Sequence, residues 1–200
     1  QGLFGDAVSV DGEHHLTLKP VHGLIGDGRF AISFWMKPAD IQQGAVISNE
    51  GNNTVRSGNL VEFVEGRLRW NIIGRWIDAV QAIETQQALM ANQWAHVVLT
   101  NDGTQRTAGM SIYLNGKLQP VDEIYNTNSN KIDPKQQTEM RLGFSRHAPD
   151  WYGSIDELRF YTDRTLSPDE VGLLAVPESP QAIAAKPISD RSTDEQQVLR

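Results

Sequence analysis

The stretch FAISFWMKP, at residues 30–38, decides the fold of this 200-residue chain. Its large apolar side chains recur at every second position, which is the period of a β-strand with one buried face. They belong to Phe30, Ile32, Phe34 and Met36. Similar short apolar runs lie at residues 60–65, 67–73, 94–100, 110–114, 140–144 and 158–160. Because turn residues and not helices separate them, the sequence predicts an all-β, antiparallel two-sheet sandwich.

Two dipeptides predict hairpin turns between these runs. Asn115-Gly116 joins two strand-like segments and is a strong hairpin signal, because both of its positions need a positive φ. Glu65-Gly66 is interpreted in the same way. The strands on either side of each turn are therefore expected to pair.

One short C-terminal helix is predicted after Ser167. Pro168 occupies the first helical position, and Glu170 completes the spacing of a capping box. The helix is expected to end near Ala175, because Pro177 cannot continue it.

The end of the chain differs in composition from the rest. No Phe, Trp or Tyr follows Tyr161, and the last 25 residues are rich in Pro, Ala, Ser and Gln. We therefore predict a domain over residues 1–175 and an extended linker over 176–200 that leads to a further domain. A new helix is expected to begin at Ser192, which has Glu195 at capping-box spacing. We expect the chain to be a piece of a longer precursor.

Composition excludes several classes of protein. The chain has no cysteine, so it has no disulfide scaffold and no thiolate metal site. Its net charge of −7 argues against a nucleic-acid partner. No apolar run approaches the roughly 20 residues of a membrane-spanning helix.

These segments, in this order, resemble the laminin-G-like branch of the concanavalin A-like lectin/glucanase superfamily. The resemblance covers residues 2–175 and implies a jelly-roll sandwich. It is carried by GDAVSVDG (5–12), FAISFWMKP (30–38), WAHVV (94–98), IYLNGK (112–117) and GSIDELRFY (153–161). The tail, with Pro187, Asp190-Arg191-Ser192 and Glu195-Gln196-Gln197, is similar to segments of large secreted planctomycete proteins with cytochrome c-like domains. The resemblance implies a secreted, periplasmic or cell-surface protein.

Asp156 is the best candidate for a metal ligand. It lies two and four residues before Leu158 and Phe160, so its carboxylate is expected on the same face of the sheet as these apolar side chains. The family often has a structural Ca²⁺ at this position, and Asp11 is a plausible second ligand because the first and last strands pair in this fold. The alternative is that Asp156 caps backbone N–H groups without a metal. The sequence fits both interpretations.

Catalysis is not favoured. Glu62 and Glu65 are three residues apart, so on a strand they face opposite sides, whereas glycoside hydrolysis needs two carboxylates on one side of the sugar. His14 and His15 are expected on a strand and facing apart, and His96 is interpreted as a structural histidine.

Five residues are candidates for ligand binding, because they combine aromatic faces with polar groups outside the regular strand pattern. They are Trp76, Trp151, Tyr152, Tyr125 and Asn126. Each Trp could instead pack in the core. Asn52-Asn53-Thr54 also fits a glycosylation sequon.

Three functions remain, and the first is favoured. The first is a non-catalytic recognition module that binds carbohydrate or a protein partner. The second is an architectural spacer between neighbouring domains, and the third is a glycan-active enzyme. Exposed aromatic residues on a concave face would support recognition, whereas a charged face with buried aromatics would support architecture.

Overall fold

Thirteen strands pair into two antiparallel sheets in the described part of the computed structural model. The described residues are 2–24, 27–51, 56–76, 78–127 and 138–200. The strands are β1 Val8–Asp11, β2 Leu16–Leu18, β3 Phe30–Pro38, β4 Gly44–Ser48, β5 Gly58–Val64, β6 Arg67–Arg75, β7 Ala79–Thr85, β8 Ala95–Asn101, β9 Met110–Leu114, β10 Lys117–Leu118, β11 Val121–Thr127, β12 Met140–Leu142 and β13 Tyr152–Thr162. The helices are α1 Pro168–Leu174, α2 Pro180–Ala185 and α3 Thr193–Val198.

The described strands form a six-stranded and a seven-stranded sheet. The first has the order β1-β13-β3-β8-β9-β10, and the second has the order β11-β7-β6-β5-β4-β12-β2. Six of the eleven pairs of neighbouring strands, among them β1-β13 and β3-β8, join strands that are not consecutive in the chain, as a jelly-roll sandwich requires. The fold class predicted from the sequence is confirmed.

The core lies between the two sheets and is built from alternating strand positions. The predicted inward set of β3, namely Phe30, Ile32, Phe34 and Met36, is fully buried. Phe30 meets Trp70 of β6 edge to face, with ring centroids 5.8 Å apart. This contact joins the two sheets across the core.

Both predicted hairpin turns are present. Asn115 and Gly116 have φ values of 49° and 80°, and Glu65 and Gly66 have values of 49° and 81°. Two consecutive positive φ angles define the turn that matches the right-handed twist of paired strands.

Helix α1 forms as predicted and covers part of the six-stranded sheet. Ser167 and Glu170 make both hydrogen bonds of the capping box. The buried Val171 packs with Ala31 of β3 and Val98 of β8 on the face of the sheet that points away from the core.

The segment after residue 175 differs from the extended linker that the sequence predicted. It forms α2 and α3, of which only the start of α3 at Ser192 was expected, and Ile183 is fully buried. The missed signal is Ser179-Pro180, which caps α2 and starts it. Lys186 Nζ then joins Glu178 at 2.5 Å and Glu195 at 2.6 Å. A separate domain boundary near residue 175 stays a prediction.

Replacing Lys186 with Ala is expected to loosen residues 176–200 and to speed their proteolysis at pH 7. In the native chain the Lys186 amine holds the pKa of Glu195 at about 2, below its ordinary value of 4.5. A carboxyl group whose pKa is lower in the folded than in the unfolded state contributes stability above its unfolded pKa. This contribution is lost as the pH falls through the folded pKa. Protection of the tail should therefore persist above pH 4.5 and decline toward pH 2, as measured by hydrogen exchange. Equal protection in Lys186→Ala and in the exposed-site control Lys19→Ala would contradict the bridge.

Candidate functional site

The outer face of the seven-stranded sheet, which points away from the core, carries a row of charged side chains. Strand register places Glu62, Arg69 and Glu84 in one row across β5, β6 and β7. The next row brings Asn71 of β6 opposite Ala82 of β7, which in turn lies opposite Tyr125 of β11. Since Trp70 points into the core, its neighbours Arg69 and Asn71 point outward.

Two of the predicted aromatic residues meet on this face. Trp76 follows the end of β6 and Tyr125 lies in β11, with ring centroids 6.0 Å apart and planes at 68°. Their exposed fractions are 41% and 46%. An apolar cluster of Ile73, Val80, Ala82 and Ile124 lies in the same region of the sheet. We call Trp76 and Tyr125 the aromatic pair.

Arg56 completes the surroundings of the aromatic pair. Its guanidinium carbon lies 3.9 Å from the centroid of the Trp76 ring, which is cation–π contact. The same guanidinium pairs with Glu50 and approaches Glu62 at 3.9 Å. Sequence reasoning missed Arg56 and Glu50, because no local motif distinguishes a loop arginine that stacks on a distant tryptophan.

Arginines balance the carboxylates of the charged row beside the aromatic pair. Glu84 is paired by Arg69 at 2.8 Å and by Arg67 at 3.3 Å. Burial raises the pKa of Glu62, and the nearby Arg69 and Arg56 oppose this rise. Asn71 Nδ2 donates to Glu62 Oε1 at 3.3 Å.

The row does not have the arrangement of a glycosidase pair. Glu62 and Glu84 lie two strands apart, about 10 Å at the backbone, and Arg69 stands between them in register. Both side chains are buried, so neither presents a free carboxylate to a sugar in a cleft. Glu65 lies in the hairpin turn, 83% exposed, and takes no part in this face.

The remaining predicted ligand residues do not join the aromatic pair. Trp151 is 1% exposed and belongs to the core. Tyr152 is exposed but lies in β13 of the other sheet, opposite Asp11. Asn126 donates to Glu123 at 3.0 Å and accepts from the Thr107 amide at 3.5 Å. The predicted sequon at 52–54 lies outside the described residues.

Asp156 points away from the side that its position in the strand predicted. Its partner on β3 is Trp35 on the outer face, whereas Phe160 lies opposite the core residue Ile32. A β-bulge between Asp156 and Arg159, with Glu157 at a φ of 51°, inserts the extra residue that reverses the alternation. The predicted side for Asp156 was therefore wrong.

The Asp156 carboxylate holds the N-terminal loop. Oδ2 accepts from the amides of Leu3 at 2.8 Å and Phe4 at 3.1 Å, and Oδ1 accepts from Glu157 at 2.8 Å. The loop passes so close that a Cβ on Gly2 would lie 2.6 Å from Oδ2. These bonds support capping, the second of the two interpretations.

The proposed calcium ligands are not brought together. Asp11 pairs with Tyr152, four residues from Asp156, which is about 13 Å along the strands. Asp11 instead contacts His14, and the three groups around Asp156 are N–H donors, whereas Ca²⁺ requires oxygen ligands. Within the described ranges no group of three or more His, Asp or Glu could hold a metal ion. Calcium at Asp156 stays a prediction from the family resemblance. The three N–H groups around the Asp156 carboxylate do not fit a Ca²⁺ site.

Replacing Asp156 with Ala is expected to lower the free energy of unfolding by about 2–4 kcal/mol, because three backbone amides lose a charged acceptor. Asp11→Ala, at an exposed position, should change it much less. EDTA should leave the melting temperature of the unaltered protein unchanged. A melting temperature that rises with Ca²⁺ and loses this response in Asp156→Ala would contradict the capping interpretation.

The predicted structural histidine is buried in the six-stranded sheet. His96 is 1% exposed, its Nε2 lies 2.9 Å from Ser33 Oγ, and its ring lies 5.0 Å from that of Trp35. Its Nδ1 has no hydrogen-bond partner among the described residues. His14 and His15, in contrast, lie in the turn before β2, where His15 stacks on Phe144.

Burial, assisted by the positive charge of Arg159, lowers the pKa of His96 from 6.5 to about 4. As the pH falls, His96 therefore takes up a proton in the unfolded chain before it does so in the folded chain. Stability is lost as the pH falls from 6.5 toward 4. Urea unfolding should show a loss of about 2 kcal/mol from His96 between pH 7 and pH 5. His96→Gln should be less stable at pH 7 but should vary less over this range. Parallel pH profiles for the two proteins would show that His96 does not titrate in this way.

The comparisons identify the family. The profile of Laminin_G_3, described as the Concanavalin A-like lectin/glucanases superfamily, matches residues 10–172. The chain therefore belongs to this family. No curated protein matches the chain.

Solved structures confirm the fold. Domain 4 of AbnA, an extracellular arabinanase of glycoside hydrolase family 43 from Geobacillus stearothermophilus in complex with arabinotriose, has a TM-score of 0.59 at 20% identity, covering 87% of this chain and 78% of that one. The receptor-binding domain of botulinum neurotoxin type G has a TM-score of 0.54 at 20% identity, covering 88% and 45%. At such identities the likeness shows the fold alone. None of the described helices is long and apolar enough to cross a membrane.

Proposed function

We propose that this chain is a non-catalytic recognition module that binds carbohydrate through the aromatic pair, Trp76 and Tyr125. One observation carries the proposal: two large aromatic side chains, one just after β6 and one in β11, meet on an outer sheet face and stay more than 40% exposed. Aromatic residues bury most of their surface in ordinary packing, so an exposed pair indicates a surface kept open for a ligand.

The surroundings of the pair fit a sugar. Aromatic faces bind the C–H groups of a sugar ring, and the neighbouring Arg75–Asp78 pair offers polar groups for its hydroxyls. The similar arabinanase domain carries arabinotriose, which supports carbohydrate as the ligand class.

The angle between the rings narrows the class of ligand. Planes at 68° cannot both lie against one flat surface, as binding to a crystalline polysaccharide would require. We propose that the pair binds a short soluble oligosaccharide or the end of a chain. Location outside the cytoplasm, within a larger exported protein, is part of the same proposal and rests on the family resemblance.

An architectural role is the second candidate. The carboxylates of Glu62 and Glu84 are buried and lie beside arginines, so the charged row presents little to a ligand. The core position of Trp151 also removes one predicted aromatic contact. A protein partner would use the same exposed surface, so the experiment must separate these possibilities.

A broad glycan array followed by calorimetric titration tests the proposal. Trp76→Ala and Tyr125→Ala should each weaken binding by about 10-fold or more, because truncating an aromatic anchor removes a dominant contact. Tyr152→Ala is the matched control, since Tyr152 is equally exposed on the other sheet. Absence of binding to every glycan would favour the architectural role, whereas equal losses in all three variants would show that the aromatic pair is not the binding site.

A further inference from the structure

We propose that Glu50 and Arg56 are positioning residues that hold the Trp76 ring in its ligand-binding orientation. The inference rests on the proposed function, since it concerns the same site. It assigns a task to two loop residues that would not touch the sugar ring stacked on the aromatic pair.

Arg56 holds Trp76 at two points. The Trp76 amide donates to the Arg56 carbonyl at 3.0 Å, which fixes the backbone just beyond β6. The Arg56 guanidinium then lies 3.9 Å from the centre of the Trp76 ring. A planar guanidinium can stack on an aromatic face and still offer the N–H groups on its edge, which an ammonium cannot do.

Glu50 fixes the guanidinium from its edge. The Glu50 side chain is 2% exposed, and its Oε1 accepts from Arg56 Nε. Its Oε2 accepts from the hydroxyl of Ser145, and its backbone carbonyl accepts from Arg141 at 3.2 Å. A buried carboxylate with both oxygens engaged cannot change rotamer without leaving a charge unpaired. The loop after β4 is thereby tied to the segment around β12.

These contacts have a consequence for binding. An exposed tryptophan at a strand end would sample several rotamers and would lose that freedom when a ligand binds. Holding the ring beforehand removes part of this cost, which is how preorganisation raises affinity. The guanidinium also occupies one face of the ring, so a ligand is limited to the surface that remains open near Tyr125.

Fluorine NMR of the ligand-free protein tests the inference. The chain has five tryptophans, so 5-fluorotryptophan labelling gives five resonances, of which Trp76 is assigned with Trp76→Phe. In Arg56→Lys, which keeps the charge opposite Glu50 but loses the stacking plane, the Trp76 resonance should shift toward the solvent-exposed value and the other four should not move. Glu50→Gln should shift the same resonance.

The control is Glu65→Gln, which removes a carboxylate from an exposed turn and should leave the spectrum unchanged. A Trp76 resonance that stays at its native position in Arg56→Lys overturns the inference, and so does a shift of all five resonances, which would indicate a general structural role. Because the spectrum needs no ligand, the two proposals fail separately. A shifted Trp76 signal without glycan binding refutes only the proposed function, and glycan binding that depends on Trp76 with an unmoved signal refutes only the positioning role.

Discussion

Strand register in the seven-stranded sheet is the constraint on which the rest of the structure depends. Trp70 of β6 packs edge to face against Phe30 of the opposite sheet, and this contact fixes which face of β6 is inward. A slip of one residue would bury Arg69 and Asn71 in the core and expose Trp70, so the sequence tolerates one register only. The row of charges and the aromatic pair both follow from that choice.

The period-two pattern predicted which strand residues face the core, because the alternation of apolar and polar residues within a strand depends on the burial of its side chains. It predicted the inward face of β3, whereas the turn dipeptides predicted both hairpins and the capping-box spacing predicted the first helix. The pattern failed at Asp156, where the bulge at Glu157 adds a residue and reverses the faces. The period-two pattern does not predict a bulge, because the extra residue changes how two strands pair and leaves no mark in the sequence of one strand.

Sequence reasoning was weaker at the candidate site. Trp76 and Tyr125 were predicted as separate candidates, but their proximity depends on the path from β6 through β7 to β11. Arg56 and Glu50 carry no motif, because their roles arise from tertiary contacts alone. The pattern also could not distinguish the buried Trp151 from the exposed Trp76, since both residues lie outside the strand segments in which side chains alternate.

The central claim is that the open surface of Trp76 and Tyr125 is where a ligand binds. Amide NMR spectra recorded during titration with short oligosaccharides, beginning with arabinotriose, test it most directly. For an oligosaccharide that binds, the account predicts that the largest shifts cluster at the end of β6, in β11 and at Arg56. Shifts confined to the six-stranded sheet around Tyr152 and Asp11 would contradict it.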